Sequence, residues 1–158
     1  MSNRQYLVSS VFSAAVVALY GCGSEGGVSS DASSTEATGP LMRPGENCLR
    51  CHSPGNNLGA PVWTAGGTVY PRKDAAEDEG LAGVRVTITG AAGEKVTLTT
   101  NAVGNFYTAE PLTKPYRVVL ERDGRTKEMP IDAPAGSCNA CHSWPDASGG
   151  APGRIFAP

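Results

Sequence analysis

The sequence has few histidines, few aromatic residues and little charge. Two of its 158 residues are His, 6% are aromatic, and the formal net charge is −2. So small a charge gives no strongly basic surface, and a nucleic-acid partner therefore has no support. Helical apolar periodicity is also missing, which excludes a bundle of amphipathic helices. With 20 Gly and 12 Pro, the chain predicts one small domain joined to flexible segments.

Both histidines directly follow a pair of cysteines. Residues 48–52 read CLRCH and residues 138–142 read CNACH, so each has the spacing C-x-x-C-H. This spacing attaches haem covalently in c-type cytochromes, because two thiols reach one porphyrin edge while the next imidazole ligates the iron. We therefore predict two covalent haem c groups. Their predicted attachment residues are Cys48, Cys51, His52, Cys138, Cys141 and His142, with His52 and His142 as proximal iron ligands.

Two other chemistries also use paired cysteines. Two C-x-x-C knuckles can bind zinc tetrahedrally, although the knuckles here lie much further apart than in a compact zinc ribbon. A redox dithiol of the thioredoxin type needs a βαβ context, which the sequence does not predict. Haem attachment is the favoured interpretation, with zinc and a dithiol as alternatives.

The sixth ligand of each iron is a separate question. No third His exists in the sequence, so bis-His ligation within this chain is excluded. Met42 and Met129 each lie upstream of one motif and are candidate distal ligands, which would raise the reduction potential relative to bis-His iron. The alternatives are ordinary gap-filling methionines and irons that are five-coordinate, water-bound or ligated by another molecule.

Residues 1–21 predict a secretory signal. Arg4 precedes an apolar run over residues 7–19, which is too short and too rich in Ser and Ala to span a bilayer. Residues 22–41 are rich in Gly, Ser, Thr and Ala and predict a flexible linker. The folded part is therefore expected to begin after residue 41.

The end of this signal, residues 19–22, resembles the lipobox of bacterial lipoproteins. The resemblance implies cleavage before Cys22 and lipidation of that residue, which would anchor an exported protein in a membrane. Gly23 and Ser24 follow, which in that family favours the outer membrane, on its periplasmic side or at the cell surface. The alternative is that Cys22 is an ordinary exported thiol.

Residues 65–131 predict a mainly β fold. Val84, Val86 and Ile88 alternate with polar residues as in a half-buried strand, and Asp123-Gly124 predicts a hairpin turn. Short strands separated by turn residues favour a small antiparallel β-sandwich. Two haem-binding segments with short helical turns, residues 42–64 and 132–158, would flank it. The predicted strands are 66–70, 83–89, 96–99, 106–107, 116–120 and 125–131, and the tail from 146 is expected to be irregular.

Three smaller features allow two interpretations each. The acidic loop at residues 73–80 is expected to be a solvated turn, with a calcium site or a docking patch as the alternative. Trp63 is expected in the core, with packing on a porphyrin as the alternative. Trp144 is equally compatible with haem packing and with a surface or interface position.

The strand and turn residues at 67–70, 80–86, 99–106 and 116–118 resemble the carboxypeptidase regulatory-like, transthyretin-like β-sandwich. The resemblance covers about residues 65–131. It implies an Ig-like or transthyretin-like module that is structural or mediates interactions and carries no catalytic residue. A seven-strand sandwich usually has its termini at opposite ends, which would separate the two haem sites; another strand count or assembly into a dimer or filament would bring them together.

These features predict a membrane-anchored di-haem cytochrome that transfers electrons outside the cytoplasm. Its expected partners are other redox proteins, with a homo-oligomer or filament as a further expectation. The first alternative is a haem enzyme or a sensor of gas or peroxide with an open axial position. The second is a surface interaction module stapled by zinc.

Overall fold

The computed structural model of the protein describes residues 38–56 and 58–158. The predicted signal at residues 1–21, the predicted lipidation site Cys22 and most of the predicted linker lie outside the described residues. Within the described part, none of the helices is long and apolar enough to cross a membrane.

The described residues form seven strands, one short α-helix and one turn of 3-10 helix. The 3-10 turn, Cys48–Arg50, and the helix α1, Cys138–Cys141, each contain part of one C-x-x-C-H motif. The strands are β1 (Ala65–Tyr70), β2 (Arg85–Gly90), β3 (Lys95–Thr99), β4 (Asn105–Thr108), β5 (Tyr116–Arg122), β6 (Arg125–Glu128) and β7 (Ile155–Phe156). The predicted mainly β class is confirmed.

The strands form two sheets, as expected of a small β-sandwich. One sheet has the order β3-β2-β5-β6 and the other the order β4-β1-β7. All pairs are antiparallel except β1 with β7, which is parallel. The core between the sheets contains Val86 and Ile88 from β2, Tyr116 and Leu120 from β5, and Phe106 from β4. The alternating pattern of β2 therefore points its apolar side chains inward.

The largest differences from the predicted strands concern β6 and β7, whereas the other strands differ at their ends by one or two residues. Strand β6 ends at Glu128 rather than at 131, because Pro130 has no N–H to donate to a ladder. The tail was expected to be irregular, but Ile155 and Phe156 form β7 beside Val69 and Tyr70. A strand of two residues is too short to produce an alternating pattern, so the sequence contains no signal for it.

Strand β1 is the central strand of the smaller sheet, and all six of its residues are buried. Strands β4 and β7 pair with its two edges. Helix α1 and the 3-10 turn both pack against it. The strand is therefore covered on both faces, by the core on one side and by the motif segments on the other.

Of the two arrangements that the sequence left open, the structure has the motifs together and not at opposite ends of the sandwich. The segment after the sandwich returns to β1, where Gly66 donates its N–H to the carbonyl of Gly136 at 2.9 Å and makes a parallel bridge with Ser137. The first motif lies against the same strand. Seven strands are present, but the last one is formed by the tail beyond the second motif, and this brings both motifs to one strand.

The acidic loop is organised by an arginine. Arg72 forms ion pairs with Asp74 at 3.5 Å and with Glu79 at 2.6 Å, and its hydrogen bonds lower the pKa of Glu79. These side chains are exposed, so the pairs contribute little to stability. The described residues contain no group of three or more His, Cys, Asp or Glu placed to hold a metal ion, which leaves the calcium alternative without support.

The alternation of β2 predicts unequal effects of two alanine substitutions. Ile88→Ala removes a side chain that is fully buried between the sheets and should lower the free energy of unfolding by about 2–5 kcal/mol. Thr89→Ala, on the opposite face, should change it by about 0.5 kcal/mol or less. Chemical denaturation of the purified proteins measures both, and equal effects would contradict the assignment of faces.

Candidate cofactor sites

The first motif places a buried imidazole behind a short turn. The N–H of His52 donates to the carbonyl of Cys48 at 3.0 Å, which closes the turn, and the residue is 3% exposed. Its Nδ1 lies 2.7 Å from the carbonyl oxygen of Pro61. A carbonyl can only accept, so this contact assigns the proton to Nδ1 and leaves the lone pair of Nε2 for another partner.

The second motif repeats this arrangement. The N–H of His142 donates to the carbonyl of Cys138 at 3.0 Å, and its Nδ1 lies 3.0 Å from the carbonyl oxygen of Gly153. Burial lowers the pKa of His142, which keeps the imidazole neutral near pH 7. A metal-ligating His typically donates its other ring N–H to such an acceptor, which fixes its tautomer and orientation. Both imidazoles therefore have the tautomer that iron ligation through Nε2 requires.

Aromatic rings support the first imidazole. Trp63 stacks on His52 with 3.4 Å between ring centroids and 2° between planes, and Tyr107 stacks on Trp63 at 4.1 Å. Trp63 is half-buried, so the expectation that it is ordinary core is wrong. It orients the histidine. Trp144 is 46% exposed, as its surface interpretation expected.

Each motif opens into its own cavity. The first cavity has a volume of about 450 Å³, within the range for small-molecule sites, and the second has a volume of about 210 Å³, below that range. Met42 lines the first and Met129 the second, so each candidate distal ligand shares a cavity with its own motif. The lining of the first cavity includes Cys48, Cys51, His52, Trp63 and Tyr107, and that of the second includes Cys138, Cys141, His142, Ile155 and Phe156.

The first thiol of each motif is poorly suited to disulfide exchange. Burial raises the pKa of Cys48 to about 11 and that of Cys138, which packs against the core, to about 12. Reactive dithiols need a lowered thiol pKa, because the thiolate is the nucleophile. These two cysteines are therefore protonated at neutral pH, which counts against the dithiol alternative.

The cysteines also do not form a zinc site among themselves. Tetrahedral zinc needs four ligands that converge on one point. In the described part of the chain, no three or more Cys, His, Asp or Glu side chains converge in that way. Each motif instead directs its cysteines and its histidine to its own cavity, which fits two separate groups better than one shared ion.

The two motifs lie side by side on β1. The residues that precede them, Asn47 and Ser137, are hydrogen-bonded to each other through their side chains. A Cβ atom added to Gly66 would lie 3.3 Å from Cβ of Cys48, and one added to Gly67 would lie 2.9 Å from Cβ of Cys138. The first cysteine of each motif therefore lies against one of two neighbouring glycines, Cys48 against Gly66 and Cys138 against Gly67. Any larger residue at 67 would force Cys138 to move.

A buried polar network joins β1 to both motifs. The N–H of Thr68 donates to Oδ1 of Asn139 at 3.1 Å, and Nδ2 of Asn139 donates to the carbonyl of Glu46 at 2.9 Å. The hydroxyl of Thr68 accepts from the N–H of Gly45 and donates to Oδ1 of Asn105, both at 2.8 Å. This network holds Gly45 and Glu46, which lead into the first motif, against helix α1 of the second motif.

One core side chain contacts both sites. Phe106 is 3% exposed and is the one described residue that lines both cavities. Its Cζ atom would lie 2.9 Å from a Cβ added to Gly67. The ring therefore packs against the same glycine that Cys138 approaches. Phe106 is therefore a part of the wall that the two cavities share, next to the two glycines of β1.

Sequence reasoning identified the motifs and the methionines but missed the residues that hold them together. Asn139, Thr68 and Asn105 have no local signal, because each finds its partner through the tertiary fold. Gly66 and Gly67 do have one: adjacent glycines inside a strand indicate close approach by another segment.

Comparison of the chain with family models, curated proteins and solved structures found no match.

The polar network predicts a large effect of Asn139→Ala. The substitution leaves the N–H of Thr68 and the carbonyl of Glu46 without their partner, and a buried group that loses its hydrogen bond costs about 1–3 kcal/mol. The free energy of unfolding should therefore fall by on the order of 2 kcal/mol or more. Arg50→Ala, at an exposed position of the first motif, is the control and should change it by less than about 0.5 kcal/mol. Equal small effects would show that the network does not hold the motifs together.

Proposed function

We propose that the protein is a di-haem c-type cytochrome that carries electrons outside the cytoplasm. One observation carries the proposal most directly: both motif imidazoles place Nδ1 against a backbone carbonyl, at 2.7 Å and 3.0 Å, and so leave Nε2 free to ligate iron. The histidines of both motifs therefore have the tautomer that a proximal iron ligand requires. Haem, when bound, supplies reversible one-electron exchange at its iron.

The residues present fit such a group at each site. Each cavity offers two thiols for thioether bonds and one imidazole, and the second cavity has a predominantly apolar lining. Cys48, Cys51 and His52 would hold the first group, and the corresponding residues of the second motif would hold the other. The Trp63 ring stacked on His52 keeps the first imidazole in one orientation.

The chain's part in electron transfer is to hold both sites near the surface. The cysteines and His142 are only partly buried, and Leu58 at the edge of the first cavity is exposed. A redox partner would therefore reach the sites without any large movement of the chain. An electron taken from a reduced partner would be passed to an oxidised one with no atom transferred.

The proposal extends to the location of the protein. Export and lipidation at Cys22 would place the domain at the outer membrane, on the periplasmic side or the cell surface, with other redox proteins as its partners. The finer identity of the sandwich as an Ig-like or transthyretin-like module is part of the same proposal. In this account that module is the scaffold for the two haem-binding segments and has no catalytic role.

Cofactor stoichiometry tests the proposal. The chain expressed with a cytochrome c maturation system should carry two covalent haems, seen by intact mass and by haem staining after denaturation. Cys48→Ala with Cys51→Ala, and separately Cys138→Ala with Cys141→Ala, should each leave one haem, and the fourfold variant should leave none. A mature protein without covalent haem would overturn the proposal, and zinc in place of iron would support the interaction module.

Spectra of two methionine variants test the axial ligands. Since Met42 and Met129 line different cavities, Met42→Ala should change the optical and EPR spectra of the first site, and Met129→Ala those of the second. The single-haem variants assign the signals. Unchanged spectra would exclude methionine ligation, and binding of carbon monoxide by the reduced wild-type protein would then favour the enzyme or sensor alternative.

A further inference from the structure

The two candidate sites are neighbours within one small domain. Their first cysteines rest on adjacent glycines of β1, and the residues before them are hydrogen-bonded to each other. Asn139 and Thr68 lock this arrangement from within the core, where both are almost fully buried. The contact is therefore part of the folded structure and does not depend on a second copy of the chain.

The side chain that the two sites share is apolar. Phe106 lines both cavities, and no other described residue does. Charged side chains line each cavity: Arg43 and Glu46 line the first, and Lys127, Glu128 and Arg154 line the second. Arg154 is 7% exposed, and its Nη1 would lie 2.5 Å from a Cβ added to Gly45, so this buried cation of the second site also lies close to the segment that leads into the first motif.

We propose that the chain holds its two cofactor sites as one electrostatically coupled pair, with Phe106 as the partition and Gly66 and Gly67 allowing their close approach. The inference rests on the proposed function, because it concerns the two groups that the motifs would hold. It adds that the sites do not titrate as independent carriers. Loss of an electron at one site makes loss of the second electron, from the other site, less favourable.

The size of the effect follows from Coulomb's law. Two unit charges on the order of 10 Å apart, in a medium of effective dielectric constant about 20, change each other's equilibrium by about tenfold. Salt screens exposed charges over about 8–10 Å, but it has less influence across a buried wall. Coupling of this size is large enough to broaden a redox titration visibly.

The first test compares redox titrations of three matured proteins. They are the wild type and the two single-haem variants, in which both cysteines of one motif are replaced by alanine. Each single-haem variant should follow a one-electron Nernst curve. The wild-type curve should be broader than the sum of the two, with the second oxidation disfavoured about tenfold. A wild-type curve equal to that sum would overturn the inference.

This failure would be distinct from failure of the proposed function. A protein that carries two covalent haems and titrates as their sum is still a di-haem cytochrome, but its sites are independent. A protein that carries no covalent haem fails at the earlier stage, before any titration is made.

The second test concerns Phe106 itself. Phe106→Leu should change the EPR spectra of both sites, because its ring lines both cavities. Tyr107→Leu is a control that should affect only the first site, and Ile155→Val a control that should affect only the second. A Phe106→Leu spectrum that differs from wild type at one site alone would refute the role of this residue. If this variant does not mature, the three titrations decide the coupling without it.

Discussion

The arrangement of the molecule depends on the need to satisfy the buried polar groups of β1. This strand is covered on both faces, so each N–H and carbonyl that its neighbours do not pair must find another partner. For Thr68 that partner is Asn139, which lies inside the second motif. A buried amide without a partner costs more than the hydrogen bond itself contributes, so the second motif is held where Asn139 can reach the strand. The same asparagine binds the carbonyl of Glu46, two residues before the first motif.

The side chains that β1 lacks matter as much as those it has. Gly66 and Gly67 leave room for Cys48 and Cys138, and the Phe106 ring fills the space that remains beside Gly67. Two sites far apart in sequence thus come to share one strand. In this account the sandwich is the framework that sets the separation of the two cofactor sites.

The sequence was informative where structure follows from local pattern. The alternation of Val84, Val86 and Ile88 predicted β2 correctly, and the C-x-x-C-H spacing identified both motifs without any knowledge of the fold. It was uninformative where a residue depends on a distant partner. The placement of β7 beside β1, the pairing of Thr68 with Asn139 and the contact between the motifs all join segments that are far apart in sequence. For the same reason the sequence could not show whether the motifs lie together or apart: a seventh strand, β7, comes from the tail beyond the second motif and pairs with β1.

The arrangement of the cysteines counts against both alternatives to haem. A dithiol would need thiols more acidic than normal, whereas burial makes Cys48 and Cys138 less acidic. A zinc site would need the four thiols on one point, whereas each motif faces its own cavity. The most direct measurement is a crystal structure of the matured protein. The account predicts two haems in the two cavities, each ligated by its own motif histidine through Nε2, with the Phe106 ring between them. Haems at opposite ends of the sandwich, or histidines bound through Nδ1, would contradict it.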